Sequence, residues 1–384
     1  MENIKKVLGN GKRQYGMGIA LVFIIVLFSI FTNGVLLTPL NITNVILQNS
    51  YIMILAIGML LTILTGNIDL SVGSVAAFVS AISGVLIIKN DIDTVPAILI
   101  SLVIGAVIGA WNGFWIAYVR IPAFIVTLGG ELVFRGLTLV ILQGQTLSPF
   151  PLSYQIMGSG FLPDFFNSQL HSTTLLIGLL CMFYWTMSEI VKYRKEKAHG
   201  TSGHVLSLIA KLVLMNVALA LFTYCLAAYR GIPTVLLLLA VLILVYGFIT
   251  SRTTIGRHIY AFGGNEKAAK LSGIKTDRVF FWVYVNMGVL AALAGIVYAG
   301  RLNAATPKAG VNFELDAIAA CYIGGASASG GVGTVVGAII GGLIMGVLNN
   351  GMSLMGIGVD WQQAIKGLVL IFAVAFDIIS KKKR

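Results

Sequence analysis

Charge is what this sequence has least of. Asp, Glu, Lys and Arg together make up 10% of its 384 residues, against about 25% in a water-soluble globular domain, too few to coat a soluble surface. Histidine and cysteine are also scarce. The four histidines show no metal-ligand spacing, and Cys181, Cys225 and Cys321 all fall in apolar runs, so neither a metal centre nor a disulfide framework is expected. The motifs of chemistry are missing as well: no phosphate loop G-x-x-x-x-G-K-[ST], no H-E-x-x-H, no G-x-S-x-G and no dinucleotide fingerprint. The sequence therefore predicts a non-enzymatic chain with no catalytic residue and no cofactor.

What fills the space is apolar. Such residues are 58% of the chain, its mean hydropathy is +0.93, and several windows of about 20 residues carry no charge, the length a helix needs to cross a bilayer. The expected fold is all-α, a polytopic integral membrane protein. Spans read at 17–37, 42–65, 70–88, 95–119, 123–142, 172–191, 205–227, 232–250, 279–299, 315–325, 333–350 and 361–379, about twelve in a range of 10–12. The tenth is too short for a straight transmembrane helix and reads as re-entrant or broken. The first run is too long for a secretory h-region and lacks a small-residue cleavage site, so it reads as a retained span.

The net charge of +12 suits nucleic acid in principle, but its distribution follows a membrane rule. With the N-terminus inside, 20 of the 26 Lys and Arg fall on the cytoplasmic side, in segments 1–16, around Arg120, from Lys192 to Lys211, from Arg252 to Arg278, and in the tail 380–384. Only Lys89, Arg230, Arg301 and Lys308 fall outside, with Arg135 and Lys366 inside spans. Positive-inside asymmetry sets both termini in the cytoplasm and names a lipid bilayer, not nucleic acid, as the partner. Two glycine ladders, Gly105–Gly109–Gly113 and Gly337–Gly341 with Gly342–Gly346, make helix grooves for a neighbouring backbone, in the same chain or in a second copy.

Polar residues inside such a chain stand out. In "TGNIDLSVGS" (65–74) a span ends at Gly66 and the next begins near Asp69 or Ser71, whose oxygens can cap its free N–H groups. A break at membrane depth needs protein or a water-filled cavity around it, so Asn67, Asp69 and Ser71 either cap the break or line a pathway. Asp316 opens a second short helix start, from the opposite face, an echo of the inverted repeats of transporters. Glu131 and Arg135 lie one turn apart and can neutralise each other or line the same pathway. Asn112, Asn349 and Asn350 suit either helix bridging or hydrogen bonding to a polar cargo. In the cytoplasmic stretch 251–278, Asn265 is a helix N-cap, Glu266 and Lys270 form an i,i+4 pair, and Gly273 closes about two turns whose Ala268, Ala269 and Leu271 give a shallow apolar face. Such a helix is either a solvated connector or a knob for a partner's groove.

The E-x-A-A-x-x-x-G pattern of Glu266, Ala268, Ala269 and Gly273 resembles the coupling helix of ABC importer permeases. "LTGNIDLSVGS", "GRHIYAFGGNEKAAKLSGI", "AGRLNAATPKAG", "ELDAIAACYIGGASASGGVGTVVGA" and "LNNGMSLMGIG" resemble the ribose/xylose branch of the carbohydrate permeases over residues 42–380. The likeness is stronger to the longer xylose and multiple-monosaccharide members than to shorter ten-span ones, the region 172–227 supplying the extra helix pair. The resemblance implies a type II-like permease fold in one transmembrane domain (1–384), with 251–278 as coupling loop. It implies import of xylose or a related monosaccharide, a separate ABC ATPase docking at Asn265, Glu266, Ala268, Ala269 and Gly273, an extracytoplasmic sugar-binding protein, a permease homodimer and a bacterial cell membrane. Another cargo, such as a branched-chain amino acid, a nucleoside or an autoinducer sugar, stays open, as does an ion-driven transporter. On the sugar reading, the substrate pathway takes in Asn67, Asp69, Ser71, Asn112, Glu131, Arg135, Asp316, Asn349 and Asn350.

Overall fold

The computed structural model describes residues 2–166, 169–198 and 205–382. Residues 199–204 of the polar stretch 192–204 and the last two residues of the basic tail lie outside the described residues. Fifteen α-helices follow in order: α1 (Glu2–Phe31), α2 (Pro39–Leu64), α3 (Val72–Gly84), α4 (Thr94–Ala117), α5 (Ala123–Leu142), α6 (Leu152–Ser159), α7 (Ser172–Ala198), α8 (Val205–Ala227), α9 (Thr234–Arg252), α10 (Thr254–Gly264), α11 (Glu266–Leu271), α12 (Thr276–Leu302), α13 (Phe313–Ile323), α14 (Val335–Leu354) and α15 (Val359–Lys382). A π-helical segment, Val85–Lys89, prolongs α3. Among the described residues, β-pairing is confined to two isolated bridges, Leu147 with Ala305 and Phe161 with Pro233. Helices and little else are what lipid permits, since every backbone polar group must be satisfied inside the segment.

Among the described residues ten helices are long and apolar enough to cross a bilayer, α2 to α5, α7 to α9, α12, α14 and α15, with Val72–Lys89 counted as one. The other two expected spans differ. In α1 the apolar part is the shorter Gly16–Phe31. The tenth span is α13, 11 residues long, which rises only about 16 Å, half a hydrocarbon core.

The described chain divides into two compact units. The smaller gathers 37–44 and 160–234 and contains α7 and α8. In it α7 meets α8 where Gly178 leaves no room for a Cβ beside Thr223, Asn216 donates to Thr186 at 3.0 Å, and Lys211 pairs with Glu189 at 2.7 Å.

The larger unit holds the rest. Its centre is α2, buried almost without interruption from Ile52 to Leu64, and α12. Both glycine ladders pack within the chain. A Cβ on Gly105 would stand 2.5 Å from the Gly288 carbonyl oxygen of α12, and one on Gly109 2.4 Å from that of Tyr284. On α14, a Cβ at Gly341 would stand 1.8 Å from the Ala320 carbonyl of α13. Small residues are the means by which helices gain packing where lipid gives no hydrophobic drive between them.

Close approach also explains the tenth span. Leu147 and Ala305 exchange backbone hydrogen bonds at 3.0 and 2.9 Å, beside Gly84 at the far end of α3. Five residues later Gly310, at φ +72°, abuts Gly73 at the start of α3. The non-helical chain 303–312 thus runs roughly 16 Å along α3, eleven helical residues at 1.5 Å each, before α13 begins.

Candidate functional site

The break between α2 and α3 is a knot of three elements. Gly66 takes φ +77°, and Asn67 donates to the Thr65 carbonyl at 3.0 Å. Asp69 Oδ1 accepts from the Ser71 N–H at 2.9 Å and from Ser71 Oγ at 2.6 Å. Asn112 Nδ2, from α4, donates to Ser71 Oγ at 3.0 Å. Asp69, Ser71 and Asn112 are 3%, 1% and 2% exposed, so they form one buried chain of donors that lets the break exist within protein. The expected cap on the N–H groups of α3 is not made: Asp69 bonds only Ser71, the residue before the helix, and the Ser71 side chain makes no cap hydrogen bond.

The carbonyl at the end of α2 has a second use. Leu64 O accepts from the Gly331 N–H at 2.9 Å, and a Cβ placed on Gly263 would stand 1.6 Å from it. Gly263 lies in the last turn of α10, and Tyr260 of the same helix donates to Gly333 O at 2.6 Å. The segment that leads into α11 therefore presses directly on the broken helix.

In α11, Asn265 accepts from the Ala268 N–H at 3.0 Å, and Gly273 takes φ +84°, the N-cap and C-terminal turn the sequence predicts. Two expectations change. Glu266 reaches Arg120, in the α4–α5 connection, at 2.8 Å rather than Lys270, because a long-range guanidinium outcompetes a solvated ammonium on the same helix. Ala269 is 5% exposed and packs into its own chain, so the outward face of α11 consists of Lys267, Ala268, Lys270 and Leu271, the last 91% exposed. Arg120 also bonds Asp277 at the start of α12. Its hydrogen bond to Glu266 raises the guanidinium above its ordinary value, so this clamp stays charged at any physiological pH. Arg120, Glu266, Asn67, Gly66 and Gly263 border a polar cavity of about 370 Å³.

Glu131 and Arg135 do not form an ion pair. Arg135 turns its guanidinium to the Ala309 carbonyl and, at 3.1 Å, to that of Gly310, the acceptors that the non-helical segment 303–312 leaves without helical partners. A fixed cation on these carbonyls satisfies them better than a one-turn ion pair on the same helix would. Arg135→Gln is expected to cost about 1.5–3 kcal/mol, the value of hydrogen bonds to a charged group, with Glu131→Gln near neutral, as thermal unfolding in detergent would read. Equal losses from the two would restore the pairing that the sequence suggested.

A second cavity, of about 200 Å³, lies between α13, α14 and α15. Asp316, in the first turn of α13, pairs there with Lys366 of α15 at 3.0 Å. Asn349 and Asn350 lie on α14, half-buried and buried, and line neither cavity. Sequence reasoning missed the contacts of Arg120 and Lys366, although both cations were visible by position, and had no signal for the placement of Gln363 or of Gly263 and Gly331.

Comparison with known proteins places this geometry. Residues 41–374 match the family model described as branched-chain amino acid transport system / permease component. The chain is similar to the xylose transport system permease protein XylH of Haemophilus influenzae, 40% identical over 96% of this chain and 97% of the relative. It is 38% identical to XylH of Escherichia coli strain K12 over 95% of this chain and 91% of the relative. To the ribose import permease protein RbsC of Bacillus subtilis it is 35% identical, over 93% and 90%. No solved structure matches.

Proposed function

The chain belongs to the branched-chain amino acid transport system / permease component family, and from that premise we propose that it is the membrane subunit of an ATP-driven importer carrying a monosaccharide, xylose or a related pentose or hexose. The observation that carries the cargo is the 40% identity to a xylose permease across nearly the whole of both chains. The family description itself names branched-chain amino acids, and that cargo is the second reading.

The working arrangement follows from the joints described above. Twelve passes, with the broken tenth completed by 303–323 and both termini cytoplasmic, put α10 and α11 inside, in accord with the positive charge of 251–278. A separate ATPase docks on the outward face of α11. Movement of that helix is passed by Arg120 to the α4–α5 connection and by Gly263 to the end of α2, where Asp69, Ser71 and Asn112 hold the break. A binding protein delivers sugar to the outer mouth, and two copies of the chain in the bacterial inner membrane make the passage. The pathway binds sugar weakly, because tight binding would prevent release.

The test is co-reconstitution in liposomes with the ATPase and binding protein encoded beside it. Xylose, supplied with its binding protein, is expected to stimulate ATP hydrolysis and enter the vesicles. Stimulation by leucine or valine with none by any monosaccharide would transfer the function to the second reading. Uptake driven by an ion gradient without ATP would overturn both.

A further inference from the structure

We propose that the cavity between α13, α14 and α15 is a binding subsite for a neutral polyhydroxylated ligand, a monosaccharide ring, halfway across the membrane; this rests on the importer reading above.

Depth comes first. Ala328 of the loop between α13 and α14 donates to Asp377 of α15 at 3.4 Å, which fixes that end of α15 near the cytoplasmic side. Lys366 lies eleven residues before Asp377, about 16 Å along the helix and so near the middle of a core about 30 Å thick. From the opposite side, the non-helical segment 303–312 brings Asn312 and the first turn of α13 to the same depth.

Ionisable groups at that depth are costly unless they pair or face water. Asp316 and Lys366 pair, with 5% and 20% of their side chains exposed, and the second Asp316 oxygen accepts from the same ammonium at 3.2 Å. The pair still borders a cavity of about 200 Å³ that Asn312 and Gln363 also line. The pair and the two amides thus face open space large enough for a small ring, the concave site with a few convergent polar groups that a ligand needs.

The chemistry of the lining selects the class. Asp316 and Lys366 already neutralise each other, so the site carries no charge for an ion to answer. A free cation or anion would face one unmatched group, and a zwitterion would have to prise the pair apart. A sugar needs neither, since its hydroxyls donate to Asp316 and accept from Lys366, while the Asn312 and Gln363 amides do both. Met345 and Leu370 offer an apolar wall for the C–H face of a ring. Gln363 is exposed, so the cavity can be reached beside α15.

Two variants of the full chain, in liposomes with its ATPase and binding protein, test this. Asp316→Asn with Lys366→Met removes both charges together and leaves no lone charge, so a merely structural pair predicts normal uptake. The subsite predicts xylose uptake at least tenfold lower at unchanged membrane level. Gln363→Cys is expected to react with a water-soluble maleimide and to be protected by xylose during turnover, but not by leucine. Labelling only by a lipid-soluble reagent, or protection by leucine alone, would overturn the proposal, as would normal uptake by the double variant. A wild-type assembly that imports no sugar would instead overturn the importer reading itself.

Discussion

Glutamate in place of Ala268 is expected to release the ATPase from the membrane and abolish ATP-driven uptake, with the permease still inserted. Ala268 is exposed on a six-residue helix whose inner side is occupied by Ala269, so its methyl is part of the shallow outward face. A carboxylate there must either hold the partner off or enter the interface unpaired. Burying one uncompensated charge costs about 3–5 kcal/mol, which lowers docking by about two to three and a half orders of magnitude. Nothing in the membrane touches that position, and Asn265 still caps the helix. Co-purification of the ATPase and uptake in liposomes are the measurements. Normal ATPase recovery would move the docking surface elsewhere.

Gly263→Val is expected to give the opposite dissociation, an ATPase that stays bound to a permease that no longer transports. The outward face of α11 is untouched, so docking persists. A Cβ at position 263 would meet the Leu64 carbonyl oxygen at 1.6 Å and the Gly331 nitrogen at 2.6 Å. Both are backbone atoms, so neither can turn aside as a side chain could, and α10 must lift off the end of α2. The Gly331 to Leu64 hydrogen bond is then lost and the break 65–71 no longer follows α10 and α11. Xylose-stimulated hydrolysis and uptake are expected to fall at least tenfold, about 1.4 kcal/mol or more in coupling. Arg120→Ala, which cuts the parallel joint to Glu266 and Asp277 without adding bulk, should lower uptake in the same direction. If both variants transport normally, these contacts do not carry the stroke.

Much of the fold was legible because membrane helices are local objects. Each hydrophobic run between α2 and α9 forms its own backbone hydrogen bonds, so length and polarity sufficed to place it. Asn265 and Gly273 were equally legible, since a cap depends on residues two or three positions away. The contact of Gly73 at the start of α3 with Gly310 and Glu314 had no signal in the sequence, because it joins segments more than 230 residues apart. The candidate site was legible only as an inventory of polar residues. Asp69, Ser71 and Asn112 do come together, whereas Asn349 and Asn350 line neither cavity.

By itself the sequence determined the membrane class, the position of nearly every helix, the break at Gly66 and the capped helix at 266–271, because each of these rests on interactions within a dozen residues or on transfer of a contiguous segment into lipid. The tertiary structure decided what each polar group answers to. Arg135 has Glu131 one turn away yet binds carbonyls 174 and 175 residues on, Glu266 passes over Lys270 for Arg120, and Asp316 meets Lys366 across 50 residues. The reason is the rotation of each helix about its own axis. Lipid fixes that a segment spans but leaves its facing open, and only the glycine contacts between neighbouring backbones set which side chains meet.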